Sequence, residues 1–382
     1  MCIFYKSDEI MKDNIKIAII VGTRPEIIKM SPIIRECEKR KKTTSNNFDY
    51  FILHTGQHYS YSMDQVFFEQ LNLPEARYNL DVGSASHGVQ TAKILAGIEE
   101  ILIKEQPDVV LVQGDTNTVL AGALAASKLH IKVGHVEAGL RSYDRRMPEE
   151  INRVVADHIA DFCFAPTQKA QDILIKEGID KEKIFITGNT IVDAVFNHVQ
   201  LSEEKSNILS TLGLQDNQFF LVTSHRQENV DDKQRFTNIL SSLTQLSEEY
   251  DIPVVYPMHP RAKKMMQEYS IPFDGITLIN PVDFFDFLQL QQHARLVLTD
   301  SGGVQEETCI LGKPCVTLRD NTERPETVEV GGNVLAGTDV EKIKDCVSVM
   351  LQNNKKWANP FGDGKSGEKI IDILFEFRGI YQ

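Results

Sequence analysis

Six segments of the 382-residue chain place charged and polar side chains directly after short apolar runs, where packing alone does not require them. The first is Gly22-Thr23-Arg24-Pro25-Glu26-Ile27-Ile28-Lys29. Gly22 permits a tight turn, and Pro25 suits a first helical turn. A helix start of this kind can face an anion, with Arg24 and Lys29 adding charge. The string matches neither G-x-G-x-x-G nor a Walker pattern, so alone it also reads as an ordinary capped turn. The second and third segments present acids. Asp115, in Gln113-Gly114-Asp115-Thr116, reads as a proton-transfer group or as a helix N-cap, which aspartate serves well. Glu137, in His135-Val136-Glu137-Ala138-Gly139-Leu140-Arg141, has no packing reason to end an apolar strand. An ion pair with Arg141 is its structural alternative.

The fourth segment, Met147-Pro148-Glu149-Glu150-Ile151-Asn152-Arg153, opens a helix whose dipole Glu149 and Glu150 complement. The fifth, Thr223-Ser224-His225-Arg226-Gln227-Glu228-Asn229, gathers a histidine, a cation and an acid suited to an anion and a proton transfer. His259-Pro260-Arg261 follows the next strand in the same style. The sixth is Asp300-Ser301-Gly302-Gly303-Val304-Gln305-Glu306-Glu307. Two glycines at a helix start expose backbone N–H groups to a diphosphate, and Glu307, one turn on, could hold ribose hydroxyls. A last polar stretch, Arg319 to Glu326, contains Arg324 and follows another strand.

The elements that must position these groups alternate along the chain. Ile15–Val21, Tyr50–His54, Val109–Val112, Lys132–Val136, Phe162–Ala165 and Ile184–Thr187 read as strands, with helical patterns between them. The pattern restarts with Gln218–Thr223, Val254–Pro257, Thr277–Ile279, Leu296–Leu298 and Pro314–Leu318. Apolar strands alternating with helices predict parallel sheets covered on both faces. The fold class expected is α/β, with two doubly wound, Rossmann-like domains and a ligand cleft at the carboxyl edges of their sheets. The expected boundaries are an extension over 1–14, a first domain over 15–188, a second over 189–362, and a C-terminal helix within 363–382.

Composition narrows the classes. Apolar residues make up 42% and charged residues 25%, ordinary for a globular protein. No run approaches the ~18 apolar residues of a membrane helix, and Met1 to Asn14 carries no apolar signal core. A net charge of -13 argues against nucleic acid as a partner. The six cysteines form no C-x-x-C pair and read as reduced thiols of a cytoplasmic protein. The histidines lack metal-ligand spacing, and no G-x-S-x-G elbow or H-E-x-x-H helix is present.

Taken together and in order, G-T-R-P-E-x-I-K, Q-G-D-T, H-V-E-A-G-L-R, P-E-E-x-N-R, H-R-x-E-N and D-S-G-G-x-Q-E-E resemble the non-hydrolysing UDP-N-acetylglucosamine 2-epimerase family, from about Ile15 to the C-terminus. The resemblance implies a GT-B architecture, with a C-terminal helix, Gly367–Phe377, crossing back to the first domain. It implies catalytic roles for Asp115, Glu137, Glu149 and His225. Arg24 and Lys29 match residues that line the family's cleft, and Ser301, Gly302, Gly303 and Glu307 match its UDP-holding loop. Arg226 and Glu228 match positions of the active or adjacent effector site; His259 and Arg324 join the binding set. A UDP-sugar substrate, a homodimer, and no metal or cofactor are further expectations. One departure stands out: many bacterial members read T-G-Q-H-R-x-x-L-D where this chain reads Thr55-Gly56-Gln57-His58-Tyr59-Ser60-Tyr61-Ser62-Met63-Asp64. That string also resembles relatives acting on UDP-diacetamido-uronic acids. A GT-B glycosyltransferase, a hydrolysing epimerase and a non-catalytic nucleotide-sugar sensor are the rival classes.

The expected chemistry explains the number of acids. The hydrogen on carbon 2 is barely acidic, and UDP locks the sugar ring closed. No dinucleotide fingerprint offers oxidation at a neighbouring carbon. The remaining route removes the carbon 2 proton as UDP leaves, giving 2-acetamidoglucal, and re-adds UDP with a proton delivered to the opposite face.

Overall fold

The computed structural model describes residues 15–43, 48–57, 67–353 and 356–380. The extension over 1–14 and the string His58–Asp64 lie outside the described residues. By its contacts the chain divides into two compact units. One comprises residues up to 139, 145–190 and those from 365 onward; the other comprises 140–144 and 191–364.

The first unit is built on β1 (Ile15–Val21), β2 (Phe48–His54), β3 (Tyr78–Asn79), β4 (Val109–Gln113), β5 (Lys132–Val136), β6 (Phe162–Ala165) and β7 (Ile184–Ile186). They form one seven-stranded sheet in the order β3-β2-β1-β4-β5-β6-β7, parallel throughout. β1 shows why: in Ile-Lys-Ile-Ala-Ile-Ile-Val every residue but Lys16 is buried, the continuous apolar run of a strand with both faces covered. Apolar helices close the faces. Ala121, Ala123, Ala125 and Ala126 of helix Asn117–Lys128 pack in the same core as Ile20, Val110 and Val112. Small side chains on this helix allow a close approach, and at Gly122 an added Cβ would lie 3.0 Å from Val112.

The C-terminal helix, Ser366–Ile380, belongs to this first unit and packs on helix Arg24–Thr43. Phe377 meets Phe162 edge-to-face at 4.6 Å, and Phe375 lies 5.3 Å from Phe48. Such aromatic pairs contribute about 1 kcal/mol each beyond their burial. At Gly367 an added Cβ would lie 2.9 Å from the backbone of Pro32, so glycine is needed for the helices to approach.

The second unit holds β8 (Phe220–Thr223), β9 (Val254–Pro257), β10 (Ile276–Ile279), β11 (Leu296–Thr299), β12 (Cys315–Thr317) and β13 (Asn333–Leu335). Its six-stranded parallel sheet runs β10-β9-β8-β11-β12-β13. One face carries the core around Phe220, Leu240, Tyr256 and Leu298, and the other the core around Phe219, Leu221, Leu290 and Val297. The expected α/β class, two doubly wound parallel sheets of GT-B type, is the class observed. β3 and β13 were not read from the sequence. At two and three residues they are too short to show a period, and pairing to an existing edge makes them strands.

Both sheets reverse their strand order once, between β1 and β4 in the first and between β8 and β11 in the second. Open α/β sheets bind ligands beyond the carboxyl ends of the strands at such reversals. The loops after β1 and β4 begin at Gly22 and Gly114, and those after β8 and β11 at Ser224 and Asp300. Cys37, Cys163, Cys309, Cys315 and Cys346 are buried free thiols, and burial pushes Cys309 and Cys315 up to about 12. Among the described residues no helix is long and apolar enough to cross a membrane.

Candidate active site

In the first unit the acids gather at adjacent strand ends. Gly22 follows β1 where no larger residue fits: an added Cβ would lie 2.1 Å from Thr118 Oγ1 and 2.4 Å from Thr55 Oγ1. The following turn is held by Glu26, whose Oε2 accepts from Gly22 N at 2.5 Å and Thr23 N at 3.0 Å. Thr116 donates its hydroxyl to the other oxygen of Glu26. Burial pushes the Glu26 carboxyl up to about 7, against the hydrogen bonds that favour its charged form and with a further push from Asp115.

Glu137 closes β5 with φ +71°, in the left-handed region. A non-glycine residue there costs on the order of 1 kcal/mol and is maintained by its surroundings. Lys29 Nζ lies 2.6 Å from Glu137 Oε2, and Gln113 donates its amide to the same oxygen. Lys29 and Glu137 are 8% and 7% exposed, so the pair is nearly sealed from water. Glu137 thus has a structural partner in Lys29, a residue of the first loop.

Asp115 does not cap the following helix. Thr116 does, its side chain accepting from Val119 N at 3.4 Å. Asp115 is left free of that task and receives Arg153 Nη2 instead. Arg153 also holds Glu150 at 3.1 Å, and Asn152 donates to the Asp115 carbonyl at 2.9 Å. Both residues come from helix Pro148–Ile159, which therefore docks onto the Asp115 loop. Glu149 is exposed in its first turn while Glu150 is buried against Arg153, so one of two adjacent acids is structural. The Arg24 guanidinium lies over the Phe67 ring at 5.2 Å.

In the second unit a single buried carboxylate organises the site. Asp300, fully buried, accepts from Ser224 Oγ at 2.9 Å, His225 N at 3.0 Å, Arg226 N at 3.1 Å and Asn229 Nδ2 at 3.1 Å. His225 Nδ1 stands 3.4 Å from the same group. His259 lies near enough that His225 helps to lower its pKa, after burial and ahead of Arg261. His259 also accepts from Arg261 N at 3.2 Å and so caps the helix Pro260–Tyr269.

The helix Gly302–Ile310 starts at Ser301, whose side chain makes no capping bond. Ser301 N itself donates to Thr299 Oγ1 at 3.0 Å. Gly302 sits against Glu323, where an added Cβ would lie 2.7 Å from Oε1; at Gly303 the nearest atom is 3.9 Å away. Arg319 Nη1 donates to Glu323 Oε2 at 2.8 Å, and Arg226 Nη2 to Oε1 at 3.3 Å. Burial alone would raise the Glu323 carboxyl, but Arg324, Arg319 and Arg226 outweigh it and hold it at about 2. Arg324 Nε lies 2.5 Å from Glu306 Oε1, and Arg319 Nε 3.6 Å from the half-exposed Glu228. Gln291 donates to Glu307 Oε2 at 2.6 Å.

Asp115, Glu137 and Lys29 therefore share one cluster, and His225, Arg226, His259, Ser301, Gly302 and Arg324 lie around another. Sequence reading missed Glu26, Gln113, Arg153, Asp300, Glu323 and Arg319. The residues quoted in the recognised strings included most of them, but nothing in spacing tells a buried organiser from a ligand-facing group.

The sequence profile of UDP-N-acetylglucosamine 2-epimerase matches residues 40–375. The chain belongs to the UDP-N-acetylglucosamine 2-epimerase family. It is 55% identical over 367 residues to the UDP-N-acetylglucosamine 2-epimerase of Methanocaldococcus jannaschii, an alignment covering 94% of this chain and 98% of the relative. A crystal structure of the UDP-GlcNAc 2-epimerase from that organism, in complex with UDP-GlcNAc and UDP, superposes with a TM-score of 0.87 at 54% identity, covering 95% of this chain and all of that one. The UDP-2,3-diacetamido-2,3-dideoxy-D-glucuronate 2-epimerase of Pseudomonas aeruginosa is 40% identical over 365 residues, 94% of this chain and 99% of that relative. Membership in this 2-epimerase family makes the chain an isomerase, the enzyme class expected from its motifs.

Proposed function

We propose that this 2-epimerase interconverts UDP-N-acetylglucosamine and UDP-N-acetylmannosamine. The observation that carries the reading is the set of acids at the strand ends of the first unit, oriented by Lys29, Gln113 and Arg153. The greater identity to the N-acetylglucosamine enzyme than to the diacetamido-uronate enzyme supports the substrate.

Elimination builds positive charge on the sugar ring and negative charge on the leaving diphosphate. Glu137, receiving two donors on one oxygen, suits stabilisation of the first. Asp115, with a third of its side chain exposed, suits removal of the carbon 2 proton, and Glu149 its return to the opposite face. The start of helix Gly302–Ile310, with Arg24 and His225, stabilises the diphosphate. Glu307 holds the ribose, and Arg226, Glu228, His259 and Arg324 complete the binding set. The carbon–oxygen bond to UDP breaks as the proton leaves, and both re-form with carbon 2 inverted. We further infer a homodimer of the cytoplasm.

Incubating the purified protein with UDP-N-acetylglucosamine alone tests this. A UDP-N-acetylmannosamine signal rising to a constant ratio supports it. Release of free sugar, or turnover that requires an added acceptor, contradicts it. Turnover confined to a diacetamido-uronate analogue moves the substrate, not the reaction class.

A further inference from the structure

The mechanism above uses no histidine of the first unit, yet His135 and Asp157 are both fully buried and lie 2.6 Å apart, Nδ1 to Oδ1. Each also bonds to a segment that carries a proposed active-site acid. His135 Nε2 lies 2.8 Å from the Gly114 carbonyl, the residue before Asp115. Asp157 Oδ2 accepts from Gly139 N at 3.2 Å, two residues after Glu137. Asp157 itself stands on helix Pro148–Ile159, which begins with Glu149 and supplies Arg153 to Asp115. One pair of side chains thus ties together the β4 loop, the β5 loop and the helix from which Asp115, Glu137 and Glu149 project.

A buried ion pair is a costly way to gain stability, since apolar residues of similar volume often do as well. A buried group hydrogen-bonded at two ends does fix geometry, because each bond is strong where water is absent. We infer that His135 and Asp157 are positioning residues that hold the three acids in register for the epimerase reaction, an inference that rests on the reading proposed above. His135 Nε2 faces a carbonyl oxygen and so donates to Gly114, while Nδ1 and Asp157 Oδ1 share the second hydrogen bond of the ring. Gly139, with φ +86° and only 2.5 Å between an added Cβ and the Ala170 carbonyl oxygen, packs closely here, and Asp157 binds its N–H.

Two nearly isosteric variants test this. Asp157→Asn keeps an acceptor for His135 but replaces the oxygen that holds Gly139. His135→Gln keeps a donor for Gly114 and releases Asp157. Deuterium uptake by mass spectrometry and steady-state kinetics are measured on both, with melting temperature as the control for folding. The expected result is faster uptake in peptides spanning 113–117 and 137–141, with unchanged uptake in peptides of 219–330. With it, kcat falls about 10- to 100-fold while KM stays within about threefold, the signature of misplaced reacting groups. Uptake and kcat both at the wild-type level in a folded variant overturn the inference, as does a rise in KM alone. Wild-type protein that fails to epimerise would instead defeat the functional reading, and the uptake data would still decide whether the pair holds the loops.

Discussion

Lys29 Nζ lies 2.6 Å from Glu137 Oε2, joining the second turn of helix Arg24–Thr43 to the carboxyl end of β5 across 108 residues of sequence. Both side chains are nearly sealed from water, where a charge needs a close partner of opposite sign.

That dependence is measurable. Lys29→Met removes this partner from the buried Glu137, and unfolding in urea is expected to show a loss of about 3 kcal/mol. Adding Glu137→Gln to Lys29→Met replaces the carboxyl that lost this partner and recovers part of the loss. Losses that simply add would show that the two groups do not interact.

Glu26 predicts a pH dependence of opposite sense to an ordinary surface acid. Its folded pKa is raised to about 7 from the ordinary 4.5, with burial the largest cause. The stability associated with its protonated form is complete below about pH 4.5 and is lost as pH rises through 7. Glu26→Gln keeps an acceptor for Gly22 and Thr23 without the charge. The stability of wild type relative to this variant should therefore fall by roughly 3 kcal/mol between those limits. A difference independent of pH would contradict the burial of a titrating carboxyl at the first loop.

Glu323 gives the reverse case. Burial opposes its charge, but Arg324, Arg319 and Arg226 hold it at about 2. Its contribution is present above the ordinary 4.5 and is lost as pH falls toward 2. Glu323→Gln should destabilise the protein by roughly 3 kcal/mol at pH 7 and progressively less in acid, as followed by chemical denaturation at several pH values.

The paired glycines separate shape from ligand contact. At Gly302 an added Cβ collides with Glu323 Oε1, so Gly302→Ala should lower both melting temperature and UDP affinity. At Gly303 the space is open apart from Ser301 Oγ at 3.9 Å. Gly303→Ala should therefore keep the wild-type melting temperature and weaken UDP binding alone, by calorimetry, if the diphosphate approaches this backbone.

Apolar runs made the two sheets legible, since strands such as β1 and β4 are buried on both faces and carry no alternation to misread. β3 escaped because two edge residues show no pattern. At the site, the residues that end strands in polar loops were legible, because packing offers no reason for them. Their organisers were not. Asp300 and Ser301 are neighbours in one string, yet only coordinates show that Asp300 is buried under four donors while Ser301 opens a helix start. Likewise Asp115 reads as a possible cap from the sequence, and only the chain's turn gives the task to Thr116.

In the proposed reaction Asp115 and its neighbours exchange the proton on carbon 2. Running it in heavy water, with the product read by NMR and mass spectrometry, shows whether they do. The expected product is UDP-N-acetylmannosamine carrying one deuterium at carbon 2, formed about 100- to 10,000-fold more slowly by Asp115→Asn. Product formed at the normal rate with hydrogen retained at carbon 2 would contradict it.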